Sequence, residues 1–267
     1  MLTVSEAEWS QWLTLYLLPL FRLLGLIASA PLYSNRAIPV RVRMALAIAA
    51  TLAIAPALPP PAQPLPLGSW AVLPAIGAEL LIGITIGFFL RLIFAAIDLA
   101  AAFIGFQMGL SFAVFFSPTT GAQTPVINEF IGLFALLLFL SLDGHLMLIL
   151  ALARSFEWLP SPYSSTWLWR EGWAVVVNAP VLLFTAAFLI ALPTTAALLL
   201  TNIAMAILTR TAPQLNIFAI GFPITITIGF LALWIIFAAM GEAMRDLFAD
   251  GLAAAERFLH ALGALPQ

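Results

Sequence analysis

The chain has 267 residues, 63% hydrophobic and 8% charged, with a mean hydropathy of +1.10 and a formal net charge of −2. A soluble domain of that length could not cover its surface with so few polar groups, so the sequence describes a polytopic membrane protein. The absence of cysteine excludes disulfides, zinc thiolate sites, iron–sulfur clusters and a cysteine nucleophile. All basic residues are arginines, so a Schiff-base lysine and a phosphate-loop lysine are excluded too.

In chain order, apolar runs predict helical segments over Trp12–Ala30, Met44–Leu58, Trp70–Leu90, Leu92–Phe116, Val126–Leu150, Trp173–Leu200 and Ile217–Met240. A crossing of the hydrocarbon needs about 20 residues. Six or seven helices are therefore expected, with Met44–Leu58 and Leu92–Phe116 the least like simple spans. The acidic start MLTVSEAEWSQW has no basic region of a cleavable leader, so the first helix is read as retained. The positive-inside rule puts Arg36, Arg41 and Arg43 in the cytoplasm, then Arg91, Arg154 and Arg170, and leaves Arg210 outside against the rule. Residues 241–267 read as an amphipathic cytoplasmic tail on a single 1–267 helical domain. Pro193, Pro213 and Pro223 mark the stretch Ala191–Pro223 as an interrupted segment.

The most unusual stretch is GFQMGLSFAVFFSPTTGAQTP, Gly105 to Pro125. Helical spacing stacks Met108, Phe112, Phe115 and Phe116 on one face, and Ser117-Pro118 is expected to stop the helix. A broken backbone at membrane depth is tolerated only inside protein or beside water. One reading of the stripe is a soft gasket of deformable methionine and phenylalanine; the other is a lipid face or a helix contact. Gly83-Ile-Thr-Ile-Gly87 and Gly105-Phe-Gln-Met-Gly109 are small-xxx-small motifs, read as helix packing.

Ionisable residues in the apolar runs are Arg22, Glu79, Asp98, Glu129, Asp143 and His145. Arg22 and Glu79 are read as a pair across helices, or as each finding a partner in another subunit. Asp143-Gly144-His145 is either the centre of a proton relay or polar structure at a helix end. No hydrolase, metal-ligand or phosphate-loop motif occurs, so no enzyme activity, metal or cofactor is expected.

Several strings resemble one family. WLTLYLLPLFRLLGLIASAPLYSNRAIPVRVRMALA, LLLFLSLDGHLMLILALARSFEWLP and ALPTTAALLLTNIAMAILTRTAPQLNIFAIGFPITITIGF are similar to signatures of the FliR/SctT family of type III secretion export-gate subunits. The resemblance runs over essentially the whole chain; Thr209 to Phe218 is its most specific piece. It implies a non-enzymatic subunit of the flagellar export gate in the bacterial inner membrane, at the flagellar basal body. Implied partners are FliP-like and FliQ-like subunits, an FlhB-like subunit, unfolded flagellar cargo and lipid, with no nucleic acid. It also implies that helices stand as tilted hairpins and that a loop matching Phe106–Ala122 plugs the closed pore. The implied seal is then Phe106, Met108, Gly109, Phe112, Phe115, Phe116, Ser117, Pro118 and Gly121, with Gly109 and Gly121 permitting movement. Three alternatives remain: an injectisome gate subunit, a secondary transporter coupling protons through Glu79, Glu129, Asp143 and His145, and a structural assembly scaffold in which the broken helix only packs against a neighbour.

Overall fold

A computed structural model describes residues 6–34, 38–59, 70, 72–110, 126–160, 169–214 and 217–263. These are all-helical: α1 Glu6–Ser29, α2 Val40–Ile54 with a 3₁₀ turn Ala55–Ala57, α3 Val72–Gln107, α4 Val126–Ser141, α5 Gly144–Trp158, α6 Trp169–Thr211 and α7 Ile217–Gly263. Five helices are long and apolar enough to cross a membrane, and α4 with α5 makes a sixth candidate bent by 64°.

Three expectations about segments are corrected. The predicted segments Trp70–Leu90 and Leu92–Phe116 are not separate helices: one helix of 36 residues, α3 Val72–Gln107, runs from the first into the second. Arg91 is exposed at its middle rather than in a cytoplasmic loop, so the inside–outside alternation loses a member. Single side chains do not break a helix; only the loss of backbone donors or a left-handed residue does, and arginine brings neither. Val126–Leu150 is instead broken, because Asp143 adopts the left-handed conformation with φ 56°. Pro193 lies inside α6 and Pro223 inside α7, so the interruption expected over Ala191–Pro223 narrows to the connection around Pro213. Arg210, odd as an outside charge, sits in the last turn of α6, where the helix dipole favours a cation.

Two of the helices that pass through both units well exceed the hydrocarbon thickness. At about 1.5 Å per residue, α3 runs to about 54 Å and α6 to about 64 Å, against about 30 Å of hydrocarbon.

The chain divides into two compact units, each described by itself. The first comprises residues 1–92, 143–180 and 249–267. In it α1 buries Leu18, Leu23, Leu26 and Ile27, and α3 buries Ile82, Ile86, Phe89 and Leu90. The two helices touch backbone to backbone. A Cβ on Gly83 would strike the Arg22 carbonyl, and one on Gly25 the Leu80 carbonyl. A Cβ on Gly87 would strike the Ser29 hydroxyl. The Gly83–Gly87 motif is thus a packing motif. The end of α7 closes this core, with Phe258 5.9 Å from Phe89 and His260 4.4 Å from Trp158 between ring centroids. Residues 241–263 therefore continue α7 without a break, and their apolar face is core.

The second unit comprises residues 93–142 and 181–248. Here α3 buries Ile93, Ala96, Ile97, Ala100 and Ile104, the stripe a 3.6-residue period requires, and Met108 just past its end is buried as well. Phe94, Phe139 and Phe248 form a triangle with centroids 5.0 to 5.8 Å apart. Within this unit α6 leaves large apolar side chains such as Phe184, Phe188, Leu199 and Leu200 exposed, a surface suited to lipid or protein neighbours.

Candidate functional site

The end of α3 shows how the break at Gly105–Pro125 begins. The helix stops at Gln107, ten residues before Ser117-Pro118, which corrects the expected stop. Gly109 takes a left-handed φ of 80°. The Gly109 N–H donates to the Phe106 carbonyl at 3.0 Å, and the Leu110 N–H to the Gly105 carbonyl at 3.0 Å. That pair of reversed bonds is a Schellman cap, and glycine is the residue it favours at the left-handed position. Gly109 is therefore a helix cap as well as a point of close packing, where the Phe222 ring leaves no room for a Cβ. The rule "proline stops helices" was the louder signal in the sequence, but a glycine C-cap acts first along the chain.

The capped end rests on α7. The Thr225 hydroxyl lies 3.3 Å from the carbonyl oxygen of Met108, the first residue past α3. Thr225 also reaches the Gly221 and Phe222 carbonyls of α7, both at 3.1 Å. Met108 is fully buried, and its side chain fills the space over Gly229. A Cβ built on Gly229 would meet Met108 Cγ, Cε and Sδ at 2.6 to 2.8 Å. A Cβ built on Gly109 would meet the Phe222 ring at 2.8 Å. Phe222, Thr225 and Gly229 stand at i, i+3 and i+7, one face of α7.

The expected seal residues are thus placed unevenly. Phe106 is 69% exposed, beside an apolar groove that it lines with Phe103, Phe188 and Leu192. Met108 points the other way, into protein. Phe112, Phe115, Phe116, Ser117, Pro118 and Gly121 lie outside the described residues.

The ionisable residues fall into separate settings. In the first unit Arg22 and Glu79 pair at 2.5 Å, both fully buried. Arg22 Nη1 donates to the Ser155 hydroxyl at 2.8 Å and Nη2 to the Leu159 carbonyl at 2.9 Å. Its guanidinium carbon lies 3.7 Å from the centre of the Phe156 ring. One arginine so joins α1, α3 and α5, and a charge buried that deeply persists because its hydrogen-bonding directions are answered. Nothing in the sequence singled out Ser155 or Phe156; their helical spacing with Leu148 and Leu152 was the available signal. In the second unit the Asn128 amide donates to the Asp98 backbone carbonyl at 3.2 Å, tying α4 to α3, and Glu129 is exposed beside it on α4. Asp143 is exposed at the α4–α5 junction, where its carbonyl accepts from the Leu146 and Met147 N–H groups. His145 is half-buried, and its Nδ1 has no hydrogen-bond partner among the described residues. No group of three or more potential metal ligands occurs among the described residues.

Comparison with known proteins agrees over nearly the whole chain. The family model described as "Bacterial export proteins, family 1" matches residues 13–251. The flagellar biosynthetic protein FliR of Escherichia coli (strain K12) is 40% identical over 253 residues, 94% of each chain. FliR of Pectobacterium carotovorum subsp. carotovorum is 38% identical, again over 94% of each chain. FliR of Bacillus subtilis (strain 168) is 32% identical over 87% of this chain and 90% of its own. With the family model matching residues 13–251 and these relatives aligned over 87% to 94% of its length, the chain belongs to family 1 of the bacterial export proteins.

Proposed function

We propose that the protein is a non-enzymatic subunit of the flagellar type III export gate in the bacterial inner membrane, at the flagellar basal body. The observation that carries this reading is the near full-length likeness to proteins named for flagellar biosynthesis, on a chain whose long helices expose apolar faces. Faces of that kind fit assembly with FliP-like and FliQ-like subunits, and with an FlhB-like subunit, around a path for unfolded flagellar proteins. The relatives' names favour the flagellar gate over the injectisome gate.

Within that gate, the segment from Phe106 to Pro125 seals the closed pore. Uncharged and rich in phenylalanine, it would block ions without holding cargo. The geometry at its start supports a refinement: Met108 and Gly109 anchor the segment while Phe106 and the residues beyond Leu110 supply the sealing surface. Arg22 and Glu79 act as a structural clamp. A proton relay finds little support, since Glu79 is committed to Arg22 and Asp143 sits exposed at a helix junction.

Co-purification with FliP-like and FliQ-like subunits tests the assembly. A chain that purifies alone and carries solute in vesicles would instead be a transporter.

A further inference from the structure

We infer that Phe222, Thr225 and Gly229 of α7 are positioning residues: together they form a socket that seats the capped end of α3 and sets where the sealing segment leaves the helix. The inference rests on the reading of that segment as the seal, and it adds an element 117 residues along the chain, from Met108 to Thr225, that no sealing motif contains.

Three independent contacts define the socket. The Thr225 hydroxyl, with one proton to share among the Met108, Gly221 and Phe222 carbonyls, reaches across to Met108 at 3.3 Å, a contact that matters most where water is excluded. Gly229 leaves a gap that the Met108 side chain occupies completely. The Phe222 ring closes over Gly109, the left-handed residue at which the chain turns. Each contact falls on one residue of the cap, and all three come from one helix face. Rotation or sliding of α7 would withdraw the hydroxyl, the gap and the ring at once. The end of α3 therefore follows α7, and α7 controls the seal through the socket.

The natural chain contains no cysteine, so Leu110→Cys gives a single reporter at the mouth of the socket. The reporter chain is co-expressed with FliP-like and FliQ-like subunits, and its maleimide labelling rate and the ion conductance of the assembled gate are both read. Thr225→Val speeds labelling by up to about tenfold, the equivalent of one hydrogen bond, and Thr225→Ser restores the natural rate. Gly229→Ala speeds labelling because Met108 is displaced. Adding Met108→Ala, which removes the three displaced atoms, leaves the double variant no faster than Met108→Ala alone. Unchanged labelling in Thr225→Val and Gly229→Ala, or additive effects of Gly229→Ala and Met108→Ala, overturns the socket. The seal is judged separately by deleting residues 111–125. A leak on deletion with silent socket variants leaves the seal standing and removes the socket. Coupled labelling without a leak on deletion keeps the socket and removes the seal.

Discussion

The buried junction of α1, α3 and α5 and the capped end of α3 solve opposite problems. At Arg22 a full charge is buried, and the surrounding fold answers it with a carboxylate, a hydroxyl, a carbonyl and an aromatic face. At Met108–Gly109 the chain leaves a helix, and among the described residues backbone bonds, one shared hydroxyl, a glycine gap and the Phe222 ring hold it. The first arrangement has no cheap alternative state, since removing any partner strands a charge. The second costs little to loosen, because each bond is neutral and worth about 1 kcal/mol. Segments that move are drawn from the weakly held end of a structure. The difference marks the first region as fixed scaffold and the second as a more weakly held chain end, which suits the proposed seal.

The contrast can be broken most forcefully at Arg22. Arg22→Leu takes the guanidinium away from the buried Glu79 carboxylate, and breaking a buried pair from one side costs about 3–5 kcal/mol; accumulation of the protein in membranes should collapse. Pairing it with Glu79→Gln should recover part of the loss. Next comes Gly83→Val, whose Cβ would meet the Arg22 carbonyl. Close packing has no slack for it, and the melting temperature of the purified assembly should fall sharply. Gly109→Ala should do less to stability: a non-glycine residue at positive φ costs about 1–2 kcal/mol. It should instead raise labelling at Leu110→Cys, so that stability and labelling respond to different regions. The smallest effect belongs to the Arg154–Glu256 pair, 3.7 Å apart with both side chains partly exposed. Such pairs contribute about 0–1 kcal/mol, so Arg154→Ala should leave accumulation unchanged. A large loss there would blur the contrast.

How much of this was legible in the sequence depends on the physics at each point. The pairing of Arg22 with Glu79 could be read because opposite charges in apolar runs have few other fates. Ser155 and Phe156 could not, since they lie more than a hundred residues away and look like ordinary members of a helix. The unity of α3 was hidden by Arg91, which reads as an interfacial charge but sits exposed on a continuous helix. At the break, Gly109 was visible as a glycine, but its cap depends on carbonyls at Gly105 and Phe106 that no side chain announces. The socket was the least legible feature. Phe222, Thr225 and Gly229 lie in the run GFPITITIGF, where a helical stripe of one ring, one hydroxyl and one glycine resembles any packing face. Its meaning comes from Met108, which a period-based reading aimed at a pore and the fold aims at α7.

The central claim is that the stretch beginning at the α3 cap seals the closed gate. Its most direct test is the ion conductance of membranes holding the assembled gate, with and without residues 111–125. A rise in conductance in the deleted gate, with the natural assembly still formed, is the predicted result. An intact assembly whose conductance does not change would contradict the account.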